Sequence, residues 1–371
     1  MAKKHATKKT LIVDIGTAVV SAGLVTESKH NAPLLFKVER VPVGMGAELS
    51  ADALLTHTGS ALKTLFEKFA KEGPKEIRII LGAPWHESRI RTVASGAEKA
   101  TAISEKTILK AVTDYKNEKP PATGQTDVEA VAVAVAVNGY GTRLAKPVMG
   151  KRLKVNVYES EVDLSLEKHI RESVQKFFPH AALSYNTFPL VATVALRGIS
   201  SETSFIIVDC AGEMTEVAIL HEDSVQHLSS FPLGYYSIAR ALPPKGTPVG
   251  DSLSRLALYV REELSAPEQA KVDEQFVKAF EAWKEAFEEV LHKASETTPI
   301  PQTVFLISDK EQLAWIKKGF EASNTFALTI RPVTAPMVQN IVEIGEQATY
   351  DIFLSLGALF FHIASRELIG E

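Results

Sequence analysis

The chain has 371 residues, of which 45% are hydrophobic and 23% are charged, and its formal net charge is −4. This length favours two or more domains, and the composition is typical of a soluble globular protein. The small net charge, without an evident basic face, argues against a nucleic-acid partner. The single cysteine, Cys210, excludes an internal disulfide and fits a reducing compartment, so we expect a cytoplasmic protein.

The first ten residues, "MAKKHATKKT", are basic and lack the apolar segment of a secretory signal. We expect residues 1–10 to form a flexible, solubilising tail, with contact to an anionic membrane as the weaker alternative. The two longest apolar runs, residues 130–137 and 352–364, fall short of the ~20 residues that a membrane-spanning helix needs.

The first structured segment is "LIVDIGTAVVSAGLV", residues 11–25, which predicts an apolar strand, a small-residue turn and a second strand. Apolar residues then recur at helical spacing between Leu54 and Phe69, and "EIRIILGA" at 76–83 predicts a buried strand. Strands that alternate with amphipathic helices indicate α/β architecture.

The pattern of residues 85–159 differs from that of the preceding segment. It predicts a strand, a helix near 104–117 and two further strands, joined by turn-rich segments. The alternation in "RLKVNVYE" favours a sheet with one wet face. We interpret this stretch as a small inserted domain.

The chain then repeats its opening pattern. A predicted helix at 163–178 and a strand at 183–185 lead to "IIVDCAGEMTEVAIL", residues 206–220, in which Asp209 matches Asp14 at a distance of 195 positions. Two related halves follow from this match. Beyond it we expect two amphipathic helices separated by Pro267, a strand within "TVFLISD" and a closing helix within "DIFLSLGALFFHIAS".

The two turns have a plausible chemical use. Backbone N–H groups of a small-residue turn can point at phosphate oxygens, Gly16 permits close approach, Thr17 can donate a hydrogen bond, and Asp14 can hold a water of Mg²⁺. One Asp-x-Gly turn alone would be read as a plain hairpin, since Asp and Gly are ordinary turn formers. Two turns in register favour a clamp on the phosphates of a nucleotide. No other constellation competes, because the ten histidines, His86 among them, show no zinc spacing.

The motifs "DIGT" at 14–17, "DCAGEMTE" at 209–216 and "FPLGYYSIARAL" at 231–242 resemble those of the actin-like ATPase superfamily, and most of all its bacterial FtsA and PilM branch. The resemblance implies an α/β, actin-like (ribonuclease H-like) fold of two lobes with an inserted strand-helix-strand-strand (SHS2-like) subdomain. It covers residues 10–366. The chain stops after the closing helix without the membrane-targeting tail of FtsA, which favours the PilM type.

This resemblance implies domain boundaries and site residues. Residues 11–84 and 160–203 would form the first lobe, 85–159 the inserted subdomain and 204–371 the second lobe. The implied nucleotide-binding residues, if ATP binding is retained, are Asp14, Gly16, Thr17, Asp209, Gly212 and Thr215, with Asp14 and Asp209 holding Mg²⁺ through water.

Several positions depart from the family pattern. Glu213 brings a carboxylate to the second turn, which repels phosphate. Phe188 stands before Pro189, where relatives carry an acid, and Ser308 with Asp309 replaces the Gly-Gly pair that accommodates adenosine. The acid and lysine motif that serves adenosine is also missing. Each change alone is explained by evolutionary drift. In that interpretation Glu213 lies in solvent, Phe188 packs in the core and Asp309 is a helix N-cap. Together the changes predict that nucleotide hydrolysis is weak or lost.

The leading hypothesis is a cytoplasmic, PilM-like scaffold of a type IV pilus or related envelope machine that binds the cytoplasmic tail of a membrane partner such as PilN. Trp85 and Tyr140, at the joints of the insert, are guesses for the partner groove. Three alternatives stay open: a working ATPase whose nucleotide state controls polymerisation or assembly, an FtsA-like division protein, and a sugar or acetate kinase. The sequence leaves self-association undecided.

Overall fold

The computed structural model describes residues 8–27, 32–44, 50–142, 146–322 and 326–367. Most of the predicted basic tail, residues 1–7, lies outside these ranges. Lys8, Lys9 and Thr10 already belong to the first strand, so the predicted tail extends too far by these three residues. Within the described ranges, no helix is both long and apolar enough to cross a membrane.

The first lobe is built on a six-stranded sheet in the order β15-β3-β2-β1-β4-β9. β1 and β2 form an antiparallel hairpin, and β4 and β9 continue the sheet in parallel. Apolar residues that alternate along β1, such as Leu11 and Val13, pack against helices α1 and α3 on the outer face. The elements are β1 Lys8–Ile15, β2 Val19–Glu27, β3 Leu34–Pro42, α1 Ala51–Phe69, β4 Glu76–Leu81, α3 Leu164–Phe177, β9 Ala182–Thr187 and β15 Glu343–Ile344.

The second lobe is built on a five-stranded sheet in the order β12-β11-β10-β13-β14. β10 and β11 form its antiparallel hairpin, and β13 runs parallel to β10. Four helices cover the outer face with an aromatic core that includes Trp283 and Trp315. The elements are β10 Phe205–Cys210, β11 Thr215–His221, β12 Ser224–Phe231, α5 Tyr235–Ala241, α6 Val249–Val260, α7 Ala266–Ser295, β13 Thr303–Ile307, α8 Lys310–Ala322 and β14 Thr329–Pro332.

Two helices, α4 Phe188–Ile199 and α10 Ile352–Glu367, join the lobes in one shared core. α10 packs against β1 and β2, α4 packs against β10 and β11, and the two helices contact each other. Small residues permit this close packing: a Cβ at Gly357 would lie 2.5 Å from Ile80 Cδ1. The lobes therefore share apolar residues from both sheets rather than meeting only at a polar cleft.

The end of the chain returns to the first lobe. β15 pairs in parallel with β3, and the short helix α9, Ala335–Val338, contacts α10. The sequence placed residues 204–371 in the second lobe, so the structure differs from that boundary beyond β14. The strand pairing of β15 is too short to be recognised from its two residues alone.

The insert forms a separate four-stranded sheet in the order β5-β8-β6-β7 with one helix on its face. Its elements are β5 His86–Ile103, α2 Glu105–Glu118, β6 Gln125–Val137, β7 Tyr140–Gly141 and β8 Val148–Asp163. β12 of the second lobe contacts β5 and β6, so the insert touches both lobes.

Candidate functional site

The candidate site lies where the two hairpins meet. β1 carries Asp14 just before its turn, and β10 carries Asp209 at the matching place. Both carboxylates are buried, with 7% and 4% exposure. The repeat that the sequence revealed therefore brings these two acids into one cleft, where they line the same cavity.

The turns of the two hairpins contact each other directly. The backbone N–H of Glu213 donates a hydrogen bond to Thr17 Oγ1 at 2.9 Å. A Cβ on Gly212 would lie 2.7 Å from Ala18 Cβ and 3.1 Å from Ala18 N, so only glycine fits at this position. The groups expected to surround phosphates are thus bonded to one another.

The space left between the turns is small. The cavity has a volume of about 30 Å³, and it is closed in part by Phe188 and Phe353, whose ring centroids lie 5.2 Å apart. Such a volume holds about one or two water molecules. A triphosphate does not enter this cleft unless the turns separate.

Burial shifts the ionisation of both acids. Burial, followed by the charge of Asp351, raises the pKa of Asp14 well above its ordinary value, while Arg40 opposes the shift. Burial, followed by the charge of Glu216, raises the pKa of Asp209 well above its ordinary value. Asp209 Oδ1 has no hydrogen-bond partner among the described residues. Both carboxyl groups thus favour the protonated state more than exposed aspartates do.

Arg40, on β3, supplies the positive charge of the cleft. Its guanidinium donates to Asp351 Oδ2 at 2.9 Å and also pairs with Asp309. Burial alone would lower the pKa of Arg40, but these carboxylates raise it overall. Asp351 also accepts from the backbone N–H of Leu354, at the start of α10. Arg40 therefore links the first lobe to the second lobe and to the shared helix.

Glu216 is a second link across the cleft. Its Oε2 accepts from the backbone N–H of Ala83 at 2.9 Å, and its Oε1 lies 3.0 Å from His86 Nε2. His86 is the first residue of the insert, so this carboxylate joins the second hairpin to the first lobe and to the insert. Sequence reasoning missed Arg40, Glu216 and Asp351; the one available signal was that Glu216 follows Asp209 at the spacing of a hairpin partner.

Thr215 serves the core of the second lobe instead of the cleft. Its hydroxyl donates to Leu233 O at 2.7 Å and accepts from Trp283 Nε1 at 2.9 Å. Gly16, in contrast, lines the cavity, and its N–H donates to Val19 O within the first turn. Thr215 is fully buried, so its hydroxyl is not available to a ligand in this conformation.

The residues that differ from the family pattern also make defined contacts. Glu213 forms a two-pronged ion pair with Arg240, with Oε1 2.9 Å from Nη1. Phe188 is buried against Phe353, as its packing interpretation expected. Ser308 donates to Cys210 O at 2.7 Å.

Asp309 stands immediately before α8. Its backbone carbonyl accepts from Gln312 and Leu313, while its carboxylate binds Arg40 and accepts from Tyr235 Oη at 3.1 Å. The Asp309 side chain, which was expected to cap the helix, therefore bonds to Arg40 and Tyr235 in the cleft instead.

The residues present do not fit Mg²⁺–ATP in this conformation. Asp14 and Asp209 keep the chemistry of metal ligands, but the space between them is too small for a hydrated ion with phosphates. Among the residues that the structure describes, no group of three His, Cys, Asp or Glu side chains could hold a metal ion.

A larger cavity of about 380 Å³ lies beside the closed cleft. Arg40 and Asp309 line both spaces, so their ion pair separates them. The larger cavity is also bordered by Lys310, Gln339 and Tyr350. Its volume is within the range of small-molecule sites, which is about 300–1,000 Å³.

The two residues guessed for a partner groove lie in different environments. Trp85 is buried in the core of the first lobe, with 7% exposure, so its ring cannot form part of a docking surface. That guess is corrected by the structure, because the ring completes the packing where β4 leads into the insert. Tyr140 is 79% exposed and begins β7, so it stays a prediction.

Comparison with known proteins identifies the fold. The chain is similar to PilM in a structure described as the PilM-PilN type IV pilus biogenesis complex, with 13% identity, a TM-score of 0.57 and coverage of 96% of this chain and 98% of that chain. It is also similar to the ethanolamine utilization protein EutJ from Carboxydothermus hydrogenoformans, with 13% identity, a TM-score of 0.44 and coverage of 95% and 89%. Component A of (R)-2-hydroxyglutaryl-CoA dehydratase from Acidaminococcus fermentans matches with 9% identity, a TM-score of 0.42 and coverage of 97% and 99%.

A sequence profile described as the Ppx/GppA phosphatase family matches residues 190–343, which is less than half of the chain. A search of curated protein sequences found no match. The protein therefore has the α/β, two-lobed fold of the actin-like ATPases, which confirms the fold predicted from the two hairpins.

Proposed function

We propose that this protein is an actin-like scaffold with weak or lost nucleotide hydrolysis that binds the cytoplasmic tail of an inner-membrane protein. The partner would be of the PilN type, within a type IV pilus or a related envelope machine. The observation that carries the proposal is the closed cleft, whose two turns are bonded to each other around about 30 Å³.

Three contacts support a cleft that needs no nucleotide. The Thr17–Glu213 hydrogen bond closes the turns, the Arg40–Asp309 pair joins the first lobe to the second, and the Arg40–Asp351 pair joins the first lobe to the shared helix. A nucleotide would have to break the first of these contacts before its phosphates could approach Gly16 and Gly212. Binding would therefore be weakened by the free energy of opening.

Similarity to PilM supports the choice of partner. The matched structure pairs PilM with PilN, and the similarity extends over nearly the full length of both chains. The insert contacts both lobes and exposes Tyr140, so it offers a surface to a peptide beside the two lobes. The composition and the single cysteine support a cytoplasmic location.

Two titrations test the proposal. Isothermal titration with ATP and Mg²⁺, beside Asp14→Ala, should give no heat at concentrations that detect millimolar affinity. A fluorescent peptide with the cytoplasmic sequence of the PilN-type protein from the same cell should bind in the micromolar range or tighter, and its scrambled version should not. Micromolar ATP binding that disappears in Asp14→Ala, with no binding of the peptide, would contradict the scaffold proposal.

A second candidate is a nucleotide- or polyphosphate-dependent actin-like enzyme. The 380 Å³ cavity beside the cleft and the match of residues 190–343 to a phosphatase family favour it. Opening of the Arg40–Asp309 pair would join this cavity to the space between Asp14 and Asp209. The test is release of inorganic phosphate from ATP and from polyphosphate; release above background that Asp209→Ala abolishes would favour this candidate.

A further inference from the structure

The far end of the insert carries a cluster of cations and exposed apolar side chains, which we call the basic tip. It comprises Lys146, Lys151, Arg152 and Lys154 with Tyr140 and Met149. The stretch from Lys146 to Lys154, "KPVMGKRLK", holds four cations and no acid. All four cations are exposed.

Hydrogen bonds hold Tyr140 beside these cations. Asn138 and Gly139 form a tight turn between β6 and β7 with φ angles of 52° and 91°. Asn138 N–H donates to Arg152 O at 2.8 Å, and Asn138 Oδ1 accepts from the N–H groups of Lys151 and Arg152 at 2.9 and 3.1 Å. Tyr140 follows this turn directly, so the backbone brings its ring and the cations to the same end of the sheet.

The cations of the tip differ in their ion pairing from Arg89 and Arg91 of the same insert. Lys146, Lys151, Arg152 and Lys154 make no ion pair with any residue in the described ranges. Arg89 and Arg91, in contrast, both pair with Glu159. At the neighbouring irregularity of β5, between Gly96 and Thr101, Glu98 and Lys99 cancel each other in charge. The tip therefore keeps an uncompensated positive charge.

Apolar side chains are exposed at the same end. Tyr140 is 79% exposed, Met149 61% and Val148 38%. Among the described residues, five of the eight exposed large hydrophobic side chains belong to the insert: Leu109, Val131, Tyr140, Val148 and Met149. Three of these five, Tyr140, Val148 and Met149, lie at the tip, and such a concentration at one end of a small domain marks an interaction surface.

We propose that the basic tip binds an anionic lipid bilayer. Unpaired lysine and arginine side chains are attracted to acidic headgroups, while tyrosine and methionine can enter the boundary between headgroups and acyl chains. A projecting hairpin end suits a broad planar surface, because it meets the plane without needing a groove. The inference goes beyond the scaffold proposal, since lipid binding by the tip does not depend on a bound membrane-protein tail.

Vesicle flotation of the purified full-length chain tests this proposal. Vesicles of phosphatidylcholine alone are compared with vesicles that contain 30% phosphatidylglycerol, at about 0.1 M and 0.5 M NaCl. Binding should require the anionic lipid and should weaken at high salt because the charges are screened. Each cation at an anionic surface contributes about fivefold to the partition coefficient, so Lys151→Gln/Arg152→Gln should bind about 25-fold more weakly.

Matched variants separate the tip from other basic regions. Lys63→Gln/Lys71→Gln removes two exposed cations of the first lobe, and Lys3→Gln/Lys4→Gln removes two from the N-terminal segment; both should bind as the wild type does. Tyr140→Ser/Met149→Ser should lower the part of the binding that persists at 0.5 M NaCl. Circular dichroism verifies that each variant is folded.

Two results would overturn the proposal. The first is equal flotation of the wild type and Lys151→Gln/Arg152→Gln with anionic vesicles. The second is absence of vesicle binding while the wild type, but not the same variant, binds polyglutamate, which would assign the tip to an acidic polypeptide. The peptide titration proposed for the scaffold role does not involve lipid, so the two proposals can fail separately.

Discussion

The two hairpins of the cleft begin from the same pattern and have different electrostatics. Asp14 on β1 lies opposite Ser21, whereas Asp209 on β10 lies opposite Glu216. Arg40 opposes the rise in the pKa of Asp14, but no cation is among the groups that shift the pKa of Asp209. The first hairpin thus has a compensating charge nearby, and the second brings two carboxylates together.

The difference teaches that a repeated turn motif does not define a site by itself. The residue across the hairpin and the nearest cation decide whether a buried aspartate is charged. In this protein Arg40 occupies the cleft from one side and the turns close it from the other. Four substitutions can break or sharpen this comparison.

The largest effect is expected for Arg40→Ala. Removal of the guanidinium leaves the buried carboxylate of Asp351 without its cation, which should lower the free energy of unfolding by about 3 kcal/mol or more. Urea unfolding measures the change. Lys37→Ala is the matched control on the same strand, because its pair with Glu72 is more exposed and should contribute less than about 1 kcal/mol. Equal effects of the two changes would contradict the role of Arg40.

Asp209→Asn should stabilise the protein at pH 7 by about 1–3 kcal/mol, since burial beside Glu216 disfavours the ionised carboxylate that Asp209 carries in the unfolded chain at this pH. A carboxyl group with a raised pKa in the folded state stabilises the fold fully at low pH, and that contribution is lost as the pH rises through the folded pKa. Wild-type stability should therefore fall as the pH rises above about 4, and the variant should fall less.

Urea unfolding between pH 5 and pH 8 measures this difference. Asp14→Asn should raise the free energy of unfolding less than Asp209→Asn does, because it also removes the attraction between Asp14 and Arg40. Asp52→Asn, in an exposed position, should change stability by less than about 0.5 kcal/mol. Destabilisation by Asp209→Asn at every pH would contradict the electrostatic difference between the hairpins.

Thr17→Val should cost about 1–2 kcal/mol, because it leaves the N–H of Glu213 without its acceptor while it preserves the volume of the side chain. Hydrogen exchange at the Glu213 amide should become faster, which reports the contact between the turns directly. Thr17→Ser keeps the hydroxyl and should retain slow exchange. Equal exchange in wild type and Thr17→Val would show that the turns do not depend on this bond.

Glu213→Gln should have the smallest effect, less than about 1 kcal/mol, because its ion pair with Arg240 is partly exposed. The salt dependence distinguishes the contribution of this ion pair from that of the hydrogen bond between the turns. The difference between wild type and variant should shrink between about 0.05 and 0.5 M NaCl, as expected for a screened pair. A difference that does not change with salt would indicate that Glu213 acts through packing.

Much of the fold could be predicted from local patterns. The apolar strands that carry Asp14 and Asp209 near their ends indicated the repeat, and the amphipathic pattern that follows Pro267 indicated the long helix α7. The path of the chain beyond β14 could not be predicted, because β15 has only two residues and joins a strand more than 300 positions earlier. Such pairing depends on tertiary contacts and has no local signal.

The candidate site was predictable only in part. Asp14, Gly16 and Gly212 lie in the cleft, as their small-residue turns suggested. The same pattern wrongly predicted that Thr215 would face the nucleotide, because its hydroxyl bonds to Trp283 and Leu233 instead. Arg40 belongs to no motif, and its role appears only when β3 is placed beside Asp309 and Asp351. Long-range charge pairs of this kind require the fold before they can be recognised.

The helix shared by the two lobes affects the order in which the protein can fold during synthesis. α10 begins at Ile352 and packs against β1, which ends at Ile15. At translation rates of about 5–20 residues per second, the ribosome adds α10 roughly 15 to 70 s after β1. During that interval the apolar residues of β1 and α4 that pack against α10 remain without this partner. The nascent chain therefore has a period of vulnerability to aggregation, and a chaperone that binds emerging apolar strands would act within it.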